Sequence, residues 1–310
     1  MNFIKPKFWQ KKNLISFSLY PFSIITFLFN LIKKVQTKKI FKIKTICIGN
    51  IFLGGTGKTS LTIEIKKILE KKFKTVFIKK NYFNQKDEIN LLKNVGKIIS
   101  TDDRLKSLNI AEKNKFEVAL LDDGLQQKNI NYNLKILCFN SQEGIGNGLL
   151  LPAGPLRESL QEIKNYDLVF LNGEKKNNKL IKKIKSINKK ITIFFGSYVV
   201  TNLKYLDRNK NYIMLCGIGN PHEFENTLLK YKFNITNKFI YPDHYKIPNL
   251  KINNIKNIAR KEKSKIITTE KDYFRLSKNQ RKGIKILKTK LKIKNLNKLK
   301  KILSNIHEKI

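Results

Sequence analysis

A chain of 310 residues is long enough for one large α/β unit or two smaller domains, each able to bury a core of its own. Its 64 Lys and Arg against 23 Asp and Glu give a formal charge of +41, spread through every segment among abundant Ile and Asn; such biased usage argues against a nucleic-acid footprint, while the surface remains attractive to anionic lipid. The three cysteines lie far apart in apolar, strand-like stretches, which argues against a disulfide framework and metal-ligand spacing and fits a reducing compartment.

Leu14 to Ile32 carries no charged side chain and is bracketed by Lys11-Lys12 and Lys33-Lys34. It is near the lower length for crossing a bilayer, and Pro21, Ser16, Ser18, Ser23 and Thr26 weaken it as a span. No small-residue cleavage site follows, so a signal peptide is not expected. The expectation is an amphipathic or shallowly inserted helix anchoring the body to a membrane. A full span and a buried helix of a soluble fold are the alternatives.

Beyond the basic connector Lys38 to Lys44, apolar runs alternate with helical patterns. Strands are expected at Thr45–Ile48, Thr75–Ile78, Val118–Leu121, Leu134–Phe139 and Asp167–Leu171. A second set is expected at Ile191–Phe195, Tyr212–Cys216, Lys265–Thr268 and Ile284–Leu287. The rhythm predicts an α/β fold, a P-loop NTPase-like, mostly parallel sheet followed by a second, smaller α/β domain. Three segments follow: residues 1–35 as the N-terminal hydrophobic helix, 36–190 as the nucleotide-binding domain, and 191–310 as the second domain.

Between the first strand and a helix lies Gly54-Gly55-Thr56-Gly57-Lys58-Thr59, with Ser60 opening the helical pattern. Backbone N–H groups of such a turn cradle a polyphosphate, the lysine reaches the β- and γ-phosphates, and the threonine hydroxyl serves Mg2+. Phe52 stands where the usual pattern has its first glycine. Val118-Ala119-Leu120-Leu121-Asp122-Asp123-Gly124 is an apolar strand ending in two carboxylates, the companion that holds the metal directly or through water. Asp122 is the expected ligand, and Asp123 is expected to orient water or substrate.

Weaker candidates follow. His244, in Asp243-His244-Tyr245, has the chemistry of a general base, although a surface or structural histidine is the plainer reading. Arg157, in Gly154-Pro155-Leu156-Arg157-Glu158, and Arg104, after Asp102-Asp103, are candidates for gripping phosphate. Thr268-Thr269-Glu270-Lys271-Asp272 is expected to cap a helix.

Taken in order, these motifs resemble the tetraacyldisaccharide 4'-kinase family, the lipid A 4'-kinases of Gram-negative bacteria. The resemblance rests on the apolar N-terminal helix, Gly49-Asn50 leading into Gly54–Thr59, and the DDGLQ run Asp122–Gln126. It continues through Leu151-Pro152-Ala153-Gly154-Pro155-Leu156-Arg157-Glu158, Gly217-Ile218-Gly219-Asn220-Pro221, Asp243-His244-Tyr245 and Thr269-Glu270-Lys271-Asp272. It implies transfer of the γ-phosphoryl group of ATP, with Mg2+, to the 4'-hydroxyl of an acylated glucosamine disaccharide 1-phosphate, forming lipid IVA at the cytoplasmic face of the inner membrane. It also implies a two-domain protein with the nucleotide in the cleft. Lys58 and Thr59 take the γ-phosphate and metal roles, and Asp122 and Asp123 serve the metal. The family's catalytic Asp–His pair falls on Asp87 and His244. The implied partners are the lipid substrate and an anionic membrane surface; no nucleic acid and no obligate protein partner is expected.

Two departures stand out. Where the family has Ser-Arg-Gly-Tyr, this chain has Lys79-Lys80-Asn81-Tyr82, with Lys80 as a point charge in place of a bidentate arginine. The histidine that commonly follows DDGLQ is Gln127, which hydrogen-bonds but takes no proton at neutral pH. The competing classes are a P-loop ATPase or GTPase switch at a membrane or nucleic acid, and a nucleotide-binding homologue with little catalysis.

Overall fold

The computed structural model describes residues 6–81, 86–243 and 245–306; of Lys86 and Asp87 only the backbone is described. The strands in chain order are β1 (Lys44–Gly49), β2 (Thr75–Ile78), β3 (Ile98–Ile99), β4 (Val118–Asp122), β5 (Leu134–Asn140), β6 (Leu168–Asn172), β7 (Thr192–Val200), β8 (Asn211–Cys216), β9 (Asn234–Ile240), β10 (Lys265–Thr269), β11 (Ile284–Leu287) and β12 (Thr289–Ile293). The chain forms two compact units. The larger comprises residues 6–81, 92–198 and 291–306; the smaller comprises the described parts of 86–91 and 199–290.

The larger unit is built on a sheet of order β12-β7-β6-β5-β1-β4-β2-β3. From β3 through β7 every neighbouring pair is parallel. Successive side chains of a strand face opposite layers. Ile46, Ile48 and Leu120 therefore join one apolar layer, with Leu61, Ile65 and Leu69 of the helix that follows β1, while Cys47, Ala119 and Leu121 join the layer on the other face. Both faces are covered, which is why these strands read as unbroken apolar runs. The strand expected at Ile191–Phe195, assigned from the sequence to the second set, belongs here: residues 192–195 open β7, paired in parallel with β6 from Leu168↔Thr192 to Asn172↔Gly196. The boundary placed near residue 190 accordingly falls within the larger unit, which also reclaims residues 291–306. Periodicity identifies a strand but not the sheet it joins.

At the N-terminus the apolar segment forms two helices, α1 (Leu14–Ser18) and α2 (Tyr20–Lys34). Asn13 and Ser16 close a capping box at the start of α1. One side of α2 is tied down: Ser23 Oγ donates to the Leu150 carbonyl at 3.0 Å, Asn30 Nδ2 to the Arg157 carbonyl at 2.8 Å, and Lys34 pairs with Glu162 at 2.5 Å. The opposite side leaves Phe22, Ile25, Phe29 and Ile32 more than half exposed. Among the described residues no helix is long and apolar enough to cross a membrane.

The smaller unit has a parallel sheet of order β11-β10-β8-β9. Strand β9 lacked a clear sequence signal because its pattern Asn-Ile-Thr-Asn-Lys-Phe-Ile is largely exposed, as befits an edge. The helix Glu270–Arg275 begins where expected, with Thr269 accepting from the Asp272 backbone N–H as its cap.

Candidate functional site

In the larger unit the order around β1 reverses: β4 lies on one side of it and β5 on the other. Ligands of such sheets bind beyond the carboxyl ends of the strands at this switch point. Here β1 runs into residues 50–57, and α3 (Lys58–Leu69) starts at once. Gly57 has φ +82°, a left-handed conformation open to glycine at little cost, and a Cβ there would lie 2.9 Å from Asn172 Nδ2. Ser60, next along α3, accepts from the Tyr198 hydroxyl at 2.9 Å. Asn50 organises the loop from within, its Nδ2 donating to the Gly54 carbonyl at 3.2 Å and to Thr56 Oγ1 at 3.1 Å.

The unusual Phe52 has a structural reason. It is buried and forms an antiparallel bridge with Leu156. On either side of that bridge, Leu53 N donates to the Pro155 carbonyl at 2.9 Å and Arg157 N to the Ile51 carbonyl at 2.7 Å. The run from Leu151 to Glu158 is thus a strap fastened to the phosphate loop. Its anchor is Glu158, which pairs with Lys128 at 2.9 Å and accepts from the Tyr166 hydroxyl at 2.8 Å. Its working end is Arg157, whose Nη1 lies 3.3 Å from Asp123 Oδ2.

The two carboxylates face different surroundings. Asp123 has φ +60°, with its N–H bonded to the Ile48 carbonyl at 2.8 Å and its own carbonyl accepting from Arg104 Nη2 at 2.7 Å. Its side chain lies between Arg157 and Lys58, the latter at 3.6 Å. Asp122 is fully buried; its Oδ2 accepts from Thr59 Oγ1 at 3.0 Å and from Lys79 Nζ at 2.7 Å. Its Oδ1 is buried with no hydrogen-bond partner among the described residues. A buried carboxylate oxygen left this way is costly unless a cation or donor completes it.

Lys79 was named in the sequence only as part of an altered run. The register Ile78↔Leu121 brings it level with Asp122 on the α3 face of the sheet. The legible signal is a lysine directly after the apolar run Val76-Phe77-Ile78.

The remaining candidates are placed as follows. Arg104 is buried at the start of its helix, committed to the Asp123 carbonyl and, at 3.3 Å, to Gln127 Oε1. Gln127 also donates to Asp103 Oδ1 at 3.3 Å, so both side chains brace the turn after β4. Gln126 donates to the Asn50 carbonyl at 2.7 Å and joins that turn to the phosphate loop. Lys80 is half-buried. The thiol of Cys47, fully buried beneath Gly124, is pushed up to about 12 by desolvation, and burial raises Cys138 likewise; neither is a nucleophile.

In the smaller unit three motifs converge. Lys271 pairs with Glu88 at 3.2 Å, in the helix Lys86–Lys93, and with Asp243 at 3.3 Å. Arg275 reaches Asp243 at 3.9 Å and Asp272 at 3.0 Å. Asp272 also accepts from Gly217 N at 3.1 Å, and burial raises its pKa against the opposing Arg275. The backbone of Asp87 lies in the same helix as Glu88. His244 and the Asp87 side chain lie outside the described residues, as does their pairing.

Known proteins resemble this chain along nearly its whole length. The model of the tetraacyldisaccharide-1-P 4'-kinase family matches residues 15–93 and 86–308. The tetraacyldisaccharide 4'-kinase of Pelagibacter ubique (strain HTCC1062) is 45% identical over 316 residues, covering 100% of both chains. That of Rickettsia canadensis (strain McKiel) is 32% identical over 321 residues, covering 95% of this chain and 94% of its own. The crystal structure of LpxK from Aquifex aeolicus in complex with ATP has the same fold, with a TM-score of 0.71 at 22% identity over 94% of this chain and 99% of that one. Matched along nearly its whole length by model and relatives alike, the chain belongs to the tetraacyldisaccharide-1-P 4'-kinase family.

Proposed function

We propose that this protein transfers the γ-phosphoryl group of ATP to the 4'-hydroxyl of an acylated glucosamine disaccharide 1-phosphate, giving lipid IVA. The observation that carries the reading is the meeting of Lys58, Thr59, Asp122, Asp123 and Arg157 at the end of β1 and β4, in a chain of this family. Phosphoryl transfer asks chiefly for positioning and for neutralising charge on the moving group. The phosphate-loop N–H groups and Lys58 hold the triphosphate. Arg157 and Lys58 share Asp123, which keeps both cations aimed at one place before substrate arrives.

Among the described residues no three His, Cys, Asp or Glu gather to hold a metal. A P-loop kinase needs no such cluster, because phosphate oxygens and water supply most of an octahedral Mg2+ shell. The Thr59 hydroxyl and Asp122 Oδ1, which has no partner among the described residues, fit the protein's share of that shell. Bound there, Mg2+ would neutralise charge developing between the β- and γ-phosphates.

By family likeness His244 takes the proton of the acceptor hydroxyl, and Asp87 orients its imidazole. His244→Ala is expected to lower kcat about a hundredfold while leaving the affinity for ATP nearly unchanged. Asp87→Ala should behave alike, and the double variant should lose less than the product of the two single losses. Equal losses in kcat and ATP affinity would remove the base role.

The exposed face of α2 supports a reading in which the protein attaches to a membrane surface. The helix's 15 residues rise about 22 Å, short of a hydrocarbon core of about 30 Å, which favours an interfacial helix over a span. Lys11, Lys12 and Lys33 flank the apolar stripe and favour anionic headgroups of the inner membrane's cytoplasmic leaflet. Changing Phe22, Ile25, Phe29 and Ile32 together to Ser should weaken sedimentation with phosphatidylglycerol vesicles by about a hundredfold. Undiminished vesicle binding would rule out this face as the anchor.

The function is tested by incubating the protein with γ-labelled ATP and the acylated disaccharide 1-phosphate. Label in the lipid is the expected result. Release of free phosphate without lipid labelling would point to an ATPase, and the proposal would fall.

A further inference from the structure

The buried ion pair between Lys79 and Asp122 is not required by a phosphate loop as such, and it occupies the carboxylate on which a metal would depend. Nζ of Lys79 sits 2.7 Å from Asp122 Oδ2, with the lysine side chain 2% exposed and the aspartate 0%. The same oxygen accepts from Thr59, the hydroxyl assigned to the metal. The other oxygen, Oδ1, has no partner among the described residues. The pair is placed by strand register rather than by a mobile loop, since Lys79 follows Ile78 as Asp122 follows Leu121, and its backbone N–H is held by the Ile99 carbonyl at 3.3 Å.

Holding a carboxylate this deep out of water is costly unless an opposite charge sits beside it. In a site that relies on a divalent ion alone, that neighbour arrives and leaves with the nucleotide. Here a covalently attached ammonium is already present. We propose that Lys79 is a resident cation of the nucleotide site, a positioning residue that neutralises Asp122 when no metal is bound and makes ATP binding only weakly dependent on Mg2+. The inference rests on the reading of this loop as an ATP site.

Two opposite consequences follow from one charge. Without metal, the ammonium offsets Asp122 and lowers the repulsion between that carboxylate and the incoming triphosphate. With metal, the ammonium competes for Asp122 and repels the dication, so Mg2+ binds less tightly than it would to a free carboxylate. Removing the charge while keeping a donor should therefore weaken metal-free ATP binding and tighten Mg2+ binding. A purely structural role for Lys79 would move neither in this paired manner.

The test is calorimetric titration of the full chain with ATP, in EDTA and across graded MgCl2. For the wild type, the metal-free affinity should lie within about tenfold of that in saturating Mg2+. In Lys79→Gln the metal-free affinity should fall about tenfold or more, and the Mg2+ concentration for half-maximal ATP binding should drop about tenfold. Lys79→Arg should restore the weak metal dependence. A wild type that binds ATP only with Mg2+ would overturn the proposal, as would a Gln variant with an unchanged metal profile. Should the Gln variant fail to fold, the wild-type comparison decides alone. Absence of ATP binding even in saturating Mg2+ would instead overturn the ATP-site reading, and this inference with it.

Discussion

Lys58→Ala should reduce phosphoryl transfer by roughly a hundred- to a thousandfold, the scale on which a pre-aimed charge-stabilising group acts. Lys58 is the first residue of α3, and its Nζ lies 3.6 Å from Asp123 Oδ1, beside Arg157. Losing it removes a charge from the site and leaves Asp123 with Arg157 as its nearest opposing cation. The folded state should be little affected, because Lys58 and Asp123 are both partly solvated and such pairs contribute little stability. The measurement is the initial rate of label transfer from γ-labelled ATP to the acylated disaccharide 1-phosphate, with unfolding midpoints as a control. A rate within a few-fold of wild type would remove the phosphate loop from the mechanism.

Asp122→Asn should produce the largest loss of stability, about 3–5 kcal/mol, because it removes the carboxylate charge held 2.7 Å from the buried Lys79 ammonium. For a chain of this size that is a fall in the unfolding midpoint on the order of 10 °C. An asparagine oxygen in the place of Oδ2 still accepts from both Thr59 and Lys79, so the loss is one of charge, with the amide NH2 left at the buried Oδ1 position. Added Mg2+ should not rescue this variant, whereas it should stabilise Lys79→Gln, in which the carboxylate remains. Removing both charges in Lys79→Met/Asp122→Leu should regain most of the lost stability while abolishing activity, since breaking a buried pair costs more than replacing both members with apolar groups. Denaturant unfolding of the three variants checks this; an Asp122→Asn chain as stable as wild type would contradict a buried pair.

Much of the architecture is legible in the chain itself. The apolar runs that became β1, β4, β5 and β6 are buried on both faces, so each was a continuous hydrophobic signal bounded by polar residues. The two-residue β3 and the exposed edge strand β9 were missed because neither has a buried face to imprint a pattern. Asp122 and Thr59 were identified from the chemistry of their motifs, and the structure brings their side chains to 3.0 Å. The role of the Leu151–Glu158 run was less accessible. Its glycine and prolines announced a turn, but only the bridge between Phe52 and Leu156 reveals that the turn fastens the phosphate loop and delivers Arg157 to Asp123.

Local chemistry is written along the chain: a glycine-rich turn opening a helix, a strand ending in carboxylates, an apolar helix edged by lysines, and the family that carries them in this order. Tertiary structure alone decided which charges meet. Lys79 and Asp122 are separated by 43 positions, and β2 reaches β4 by a crossover, so no spacing rule joins them. Proximity in a parallel sheet depends on strand order and register, both set by packing across the whole core. Read in the linear chain, Lys79 was one lysine among many; in the folded sheet it is the cation held against the carboxylate of the nucleotide site.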